Sequence, residues 1–115
     1  LPHREHASPI IPELAPGPDA VVLCKTTDSA LTGTNLRLLL HNMGIRDVVV
    51  AGIFTDQCVS CTVRSLADES FNVVMAEDAL AAGTDELHHK ELEILNNIYA
   101  QVMSTDDVLA LLGKE

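Results

Sequence analysis

Aromatic residues are nearly missing from this chain: it has no tryptophan, one tyrosine and two phenylalanines. Its core must be built from aliphatic side chains. That suits buried parallel strands and stacked helices better than a β-sandwich. Basic residues are also few, with seven Lys and Arg against seventeen Asp and Glu and a net charge of -10. Such a balance argues against nucleic acid, whose phosphates require Lys and Arg, and against anionic membrane surfaces. No apolar run is long enough to span a bilayer, and no signal-like segment is seen. The three cysteines, Cys24, Cys58 and Cys61, are an odd number without the spacing of a secreted scaffold. A reduced, cytoplasmic setting is expected.

What is present is an aliphatic α/β pattern. At 115 residues, 47% of them hydrophobic, the chain is one domain or part of one and can bury a real core. It begins at Leu1 rather than Met, and it reads as a piece of something longer. Residues 1–19 carry all five prolines and read as an irregular lead-in. Residues 20–115 alternate between strand and helix signals. Ala20–Cys24 is a short apolar run expected to be a strand covered on both faces. A polar loop follows to Gly33. Thr34 is placed to cap a helix carrying Leu36, Leu39, Leu40 and Met43, which Gly44 ends. Asp47–Ile53 is the strongest strand signal, expected to be buried, and the turn Thr55-Asp56-Gln57 comes at once. Val59, Thr62, Val63 and Leu66 then share a helix face. Phe71–Ala76 reads as a third strand. Thr84, with Asp85 and Glu86 in the first turn, caps a long helix whose buried stripe is expected to be Leu87, Ile94, Leu95 and Ile98. Ala100–Met103 is a short fourth strand, and Ser104 or Thr105 caps a last helix ending at Gly113.

Alternating strands and helices imply a parallel sheet with right-handed crossovers. The fold class is therefore α/β. Ligands in such sheets sit beyond the C-terminal ends of the strands. Three places qualify: Lys25 and its loop, Phe54 to Cys58, and Glu77 to Asp78.

Cys58 stands just past the central strand, where a helix begins. A helix N-terminus stabilises negative charge on sulfur, and its N–H groups could hold an oxyanion after attack on a carbonyl. Lys25, at the end of another strand signal, could add a cation to the same crevice. Plainer readings exist. Cysteine is among the most buried residue types, and a lysine after a strand is mostly solvated. Asp56 and Asp78 could be caps, and His41, His88 and His89 read as surface or partly buried helix residues. The Cys58-Val-Ser-Cys61 spacing also resembles a thiol redox site, although the intervening residues are not the usual Gly-Pro type. A zinc half-site would need a second Cys or His pair at suitable spacing, and none is found. No metal and no cofactor is implied.

The run from Gly52 to Val59, Gly-Ile-Phe-Thr-Asp-Gln-Cys-Val, followed by Thr62-Val-Arg64, resembles the signature of the isochorismatase-like cysteine hydrolases. These include nicotinamidases, N-carbamoylsarcosine amidases and ureidoacrylate hydrolases. Lys25, Ser29-Ala30-Leu31 and Gly33-Thr34-Asn35-Leu36 resemble the family's lysine, loop and helix start. Ala76–Ala81 resembles the segment after its next strand. The resemblance implies a Rossmann-like, doubly wound three-layer α/β sheet and a Cys–Lys–Asp triad, with Cys58 as nucleophile and Lys25 as the lysine. It implies a cis peptide before Phe54, an oxyanion site from the N–H groups of Phe54 and Cys58, and a pocket drawing on Ser29, Leu31, Phe54 and Thr55. The reaction implied is hydrolysis of a small amide or carbamoyl C–N bond through a thioester, in an enzyme that forms homo-oligomers. Alternatives are a non-catalytic relative that binds a small molecule or partner, and a thiol redox protein using Cys58 and Cys61.

Two departures from the pattern stand out. An aromatic is usual where Leu31 stands. The family's catalytic Asp ends a first strand that lies between the strand ending at Lys25 and the one ending at Ile53, and no such strand precedes residue 20. Glu5, Glu13 and Asp19 follow no apolar run, so none is assigned as the base. His3 and His6 do not match the metal ligands of some nicotinamidases. The chain is accordingly expected to lack its N-terminal strand.

Overall fold

The computed structural model describes residues 9–113. A short 3-10 turn at Pro12–Leu14 interrupts an otherwise irregular lead-in. The ordered elements are α1 (Leu36–Asn42), β1 (Asp47–Ile53), a wide turn at Thr55–Val59 running into α2 (Ser60–Asp68), β2 (Asn72–Ala81), α3 (Asp85–Ile98), β3 (Gln101–Met103) and α4 (Thr105–Leu111). All strand pairs are parallel, and the sheet order is β1-β2-β3. The architecture is the expected α/β one.

Local chemistry accounts for the element boundaries. Asn35 precedes α1, and Thr34 Oγ1 accepts from Leu36 N at 3.2 Å. Gly44 closes α1 with φ +68, a left-handed conformation that costs glycine nothing. Thr84 Oγ1 accepts from Leu87 N at 3.1 Å, and Ser104 Oγ accepts from Asp107 N at the same distance. Each cap satisfies a backbone donor that the first helical turn leaves without a partner.

The core gathers between β2 and helices α2 and α3. Val63, Met75 and Leu95 are wholly buried, and Leu31, Leu40, Leu66, Phe71 and Leu92 surround them. Removing each such side chain from water contributes about 1.5–3 kcal/mol.

Four expectations need correction. Ala20–Cys24 is not a strand. Val21 and Val22 are exposed, and no strand among the described residues lies beside the segment to accept its backbone hydrogen bonds. For the same reason β1 is an edge strand rather than a buried one. Val48 and Val50 pack inward, while Val49 and Ile53 face solvent at 41% and 61% exposure. β2 continues past Ala76 to Ala81. Val50 pairs with Met75, then Gly52 with Leu80 and Ile53 with Ala81, so β1 passes over Ala51 alone while β2 swings out through residues 76–79. The irregularity is a β-bulge at the end of the sheet where loops converge. Finally, α3 buries His88, Leu92 and Leu95, whereas Leu87, Ile94 and Ile98 are exposed. The helix carries two apolar rows, and the sheet takes the one that begins with a histidine.

Candidate active site

β1 delivers the chain to the C-terminal edge of the sheet at Ile53. Gly52, at φ +125, adopts a backbone conformation that side chains disfavour. The Ile53–Phe54 peptide is cis. From Phe54 the backbone makes a wide loop rather than entering a helix directly. The Phe54 carbonyl accepts from Gln57 N at 3.0 Å and from Val59 N at 3.2 Å, and Gln57 has φ -125 and ψ -107. Cys58 occupies this loop two residues before α2. It is half-buried, and its Sγ donates to the Ile53 carbonyl at 3.0 Å. All three cysteines are unbridged.

The flanking residues are held more firmly than Cys58 itself. Thr55 has no exposed surface, and its Oγ1 lies 2.8 Å from Nδ1 of His88, which is also buried. Among the described residues, Asp56 Oδ1 is the one buried side-chain polar atom without a hydrogen-bond partner. Ser60, the first residue of α2, donates to Glu91 of α3, and Arg64 reaches both groups, donating to Ser60 Oγ at 3.2 Å and Glu91 Oε1 at 3.3 Å. The Arg64 guanidinium lies 4.7 Å from the centre of the Tyr99 ring.

Lys25 is exposed, and its Nζ donates to the Thr27 carbonyl at 2.8 Å. No hydrogen bond joins it to Cys58 among the described residues. The loop after Lys25 is fastened to the helix that follows Cys58. Ala30 N donates to Thr62 Oγ1 at 3.0 Å, and the hydroxyls of Ser29 and Ser65 lie 2.9 Å apart. Leu31 sits in the core, 3% exposed, and Phe54 is 40% exposed.

A cavity of about 390 Å³ opens beyond the end of β2, between the bulged segment and α3. Glu77, Asp78, Asp85, His88 and His89 contribute to its walls, giving it an acidic character. Cys58 is not among its lining residues. Asp78 turns toward α4, where it accepts from the backbone N and the hydroxyl of Thr105, both at 2.7 Å. The Thr105 hydroxyl, followed by its N–H, holds the Asp78 carboxyl below the usual carboxylate range. Glu5 and the N-terminal histidines His3 and His6 lie outside the described residues.

The buried histidine was legible in principle, because His88 stands in phase with Leu92 and Leu95. The link from His88 to Thr55 was not, since it joins positions 33 residues apart in different elements.

The match to known proteins is extensive. A model of the isochorismatase domain covers residues 1–107. The chain belongs to the isochorismatase family. Nicotinamidase 3 of Arabidopsis thaliana is 35% identical over 98 residues, which are 84% of this chain and 49% of that protein. An isochorismatase-like hydrolase from Alkaliphilus metalliredigens superposes with a TM-score of 0.87 at 32% identity, over 91% of this chain and 57% of that one. N-carbamoylsarcosine amidase from Thermoplasma acidophilum superposes with a TM-score of 0.78 at 32% identity, over 84% and 55%. The chain spans about half the length of the curated relatives it matches.

Proposed function

We propose that the protein hydrolyses a small amide or carbamoyl C–N bond, with Cys58 as the nucleophile. The observation that carries this reading is the position of Cys58. It is a half-buried free thiol in the loop between a strand's C-terminal end and a helix start, in a family with amidohydrolase relatives.

In the proposed reaction the Cys58 thiolate attacks the substrate carbonyl carbon, forming a C–S bond and an oxyanion. Backbone N–H groups of Phe54 and Cys58 steady that oxyanion. The C–N bond then breaks, the amine leaves with a proton, and a thioester remains. Water attacks the thioester, releases the acid and restores the thiol. Lys25 supplies positive charge to the crevice, and its loop reaches Cys58 through α2 by way of Ala30–Thr62 and Ser29–Ser65. For that role its ammonium must leave the Thr27 carbonyl when substrate is present. Phe54, partly exposed beside the nucleophile, offers an apolar face to the acyl group.

A panel of nicotinamide and simple carbamoyl amides, assayed for ammonia release with the full-length protein, tests the proposal. Turnover that falls by at least about a thousandfold in Cys58→Ala is expected, since the nucleophile carries the covalent step. Turnover that survives this substitution removes Cys58 from the mechanism.

A further inference from the structure

Among the described residues, Cys58 has little of its own to fix it: one hydrogen bond from its sulfur to the carbonyl of Ile53, in a loop that is neither strand nor regular helix. A nucleophile displaced by about 1 Å loses on the order of a hundredfold in rate, so something must hold this loop. The residues on either side of it are both gripped by α3. Three positions before Cys58, Thr55 Oγ1 meets His88 Nδ1 at 2.8 Å, with both side chains buried. Two positions after it, buried Ser60 donates to Glu91. His88 and Glu91 are three residues apart on α3, so they project from neighbouring turns toward the same side. Among the described residues, Thr55–His88 is the one side-chain hydrogen bond that ties the Thr55–Val59 loop to another helix.

We propose that His88 and Glu91 are positioning residues. Together they form a two-pronged clamp that fixes the loop from both flanks and so sets the direction of the Cys58 sulfur. The proposal rests on reading Cys58 as the nucleophile, but its consequence can be read from the thiol alone. The hydrogen bond matters here more than the volume. With Nε2 protonated, His88 Nδ1 accepts the Thr55 hydroxyl proton, and a side chain presenting a polar atom at the Nδ1 position would do the same. An asparagine meets that requirement and a leucine does not. Glu91 also receives Arg64, so its prong is a three-membered network in which Gln could replace only the hydrogen bonding.

The test is the rate of iodoacetamide alkylation at each cysteine, resolved by mass spectrometry, in the full-length protein and in His88→Leu, His88→Asn, Thr55→Val and Thr55→Ser. Cys24 and Cys61 serve as internal references. The clamp predicts that His88→Leu and Thr55→Val change the Cys58 rate relative to Cys61 by about tenfold. His88→Asn and Thr55→Ser should stay within about threefold of the parent. Thr55→Val is nearly isosteric and keeps the test open if His88→Leu does not fold. An unchanged Cys58 rate in a folded Thr55→Val protein overturns the proposal. So does a parallel rise at all three cysteines, which signals general loosening. If the parent turns over an amide, His88→Leu and Thr55→Val should also lose kcat with KM held. Absence of turnover in the parent counts against the hydrolase reading and leaves the alkylation ratios to decide the clamp.

Discussion

Asp78 receives both donors of Thr105, the backbone N–H and the hydroxyl, at 2.7 Å each, and so joins the bulge of β2 to the first turn of α4. The hydroxyl and then the N–H favour the charged carboxylate, which holds its pKa below the ordinary value. A carboxyl whose folded pKa is depressed stabilises the fold above its unfolded pKa of about 4. That contribution fades as pH falls through the folded value. Asp78→Asn should lower the melting temperature at pH 7, with the deficit shrinking below about pH 4. Thermal unfolding of both proteins across pH 2.5–7 measures it, and a deficit that is constant with pH would rule out the carboxylate as its source.

Arg37 and Glu69 form a two-contact ion pair between α1 and the end of α2. The Arg37 side chain holds the Glu69 carboxyl low, yet both groups lie at the surface. Solvent screening should keep the effect of Glu69→Gln within about 1 kcal/mol and reduce it further in 1 M salt. Denaturant midpoints at low and high salt provide the check.

Leu95 has no exposed surface and lies on the row of α3 that faces the core, whereas Ile98 is 77% exposed on the other row. Leu95→Ala should cost about 2–5 kcal/mol, and Ile98→Ala less than about 1 kcal/mol. Equal costs would mean that both rows are buried.

These elements also show what a sequence can and cannot reveal. β1, the helix ends at Gly44, Thr84 and Ser104, and the loop around Cys58 were legible because each rests on local chemistry: a β-branched run, a cap, a positive-φ glycine. The two rows of α3 were not separable by apolarity. Leu87, Ile94 and Ile98 are as hydrophobic as Leu92 and Leu95, and the choice between rows depends on a partner for His88 that only the fold brings near. Ala20–Cys24 failed for a related reason. Its apolar run has the character of a strand, but a strand requires a neighbour, and the described residues provide none.

Cys58 should be the most reactive thiol at neutral pH. It is half-buried in a loop opening onto a helix start, while Cys61 lies within α2 and Cys24 on an exposed, irregular segment. Iodoacetamide labelling with time-resolved mass spectrometry distinguishes them. Faster modification of Cys61 or Cys24 would contradict the assignment, and a Cys58–Cys61 disulfide persisting under mild reductant would favour redox chemistry instead.

The 115-residue chain by itself should turn over no amide at a useful rate. Thioester formation needs a group that takes the thiol proton and returns it to the departing amine. Glu13 and Asp19 stand exposed in the lead-in, and Asp78 is committed to Thr105. The outer edge of β1 is unpaired among the described residues, and Ala20–Cys24 runs without a strand beside it. An additional strand supplied there would serve two needs, since it would satisfy the exposed backbone of β1 and could end in a carboxylate facing Cys58. Ammonia release from nicotinamide should therefore be absent in the 115-residue chain and present in the full-length protein. If the short chain does turn over substrate, and loses that activity in Cys58→Ala, a carboxylate within it must act as the shuttle. Asp56 is then the candidate. It lies two residues from Cys58, and its buried Oδ1 is the carboxylate oxygen the fold leaves without a partner among the described residues. Asp56→Asn would decide the matter, because a group that takes the Cys58 proton predicts loss of turnover together with slower alkylation of Cys58, with Cys24 and Cys61 unchanged.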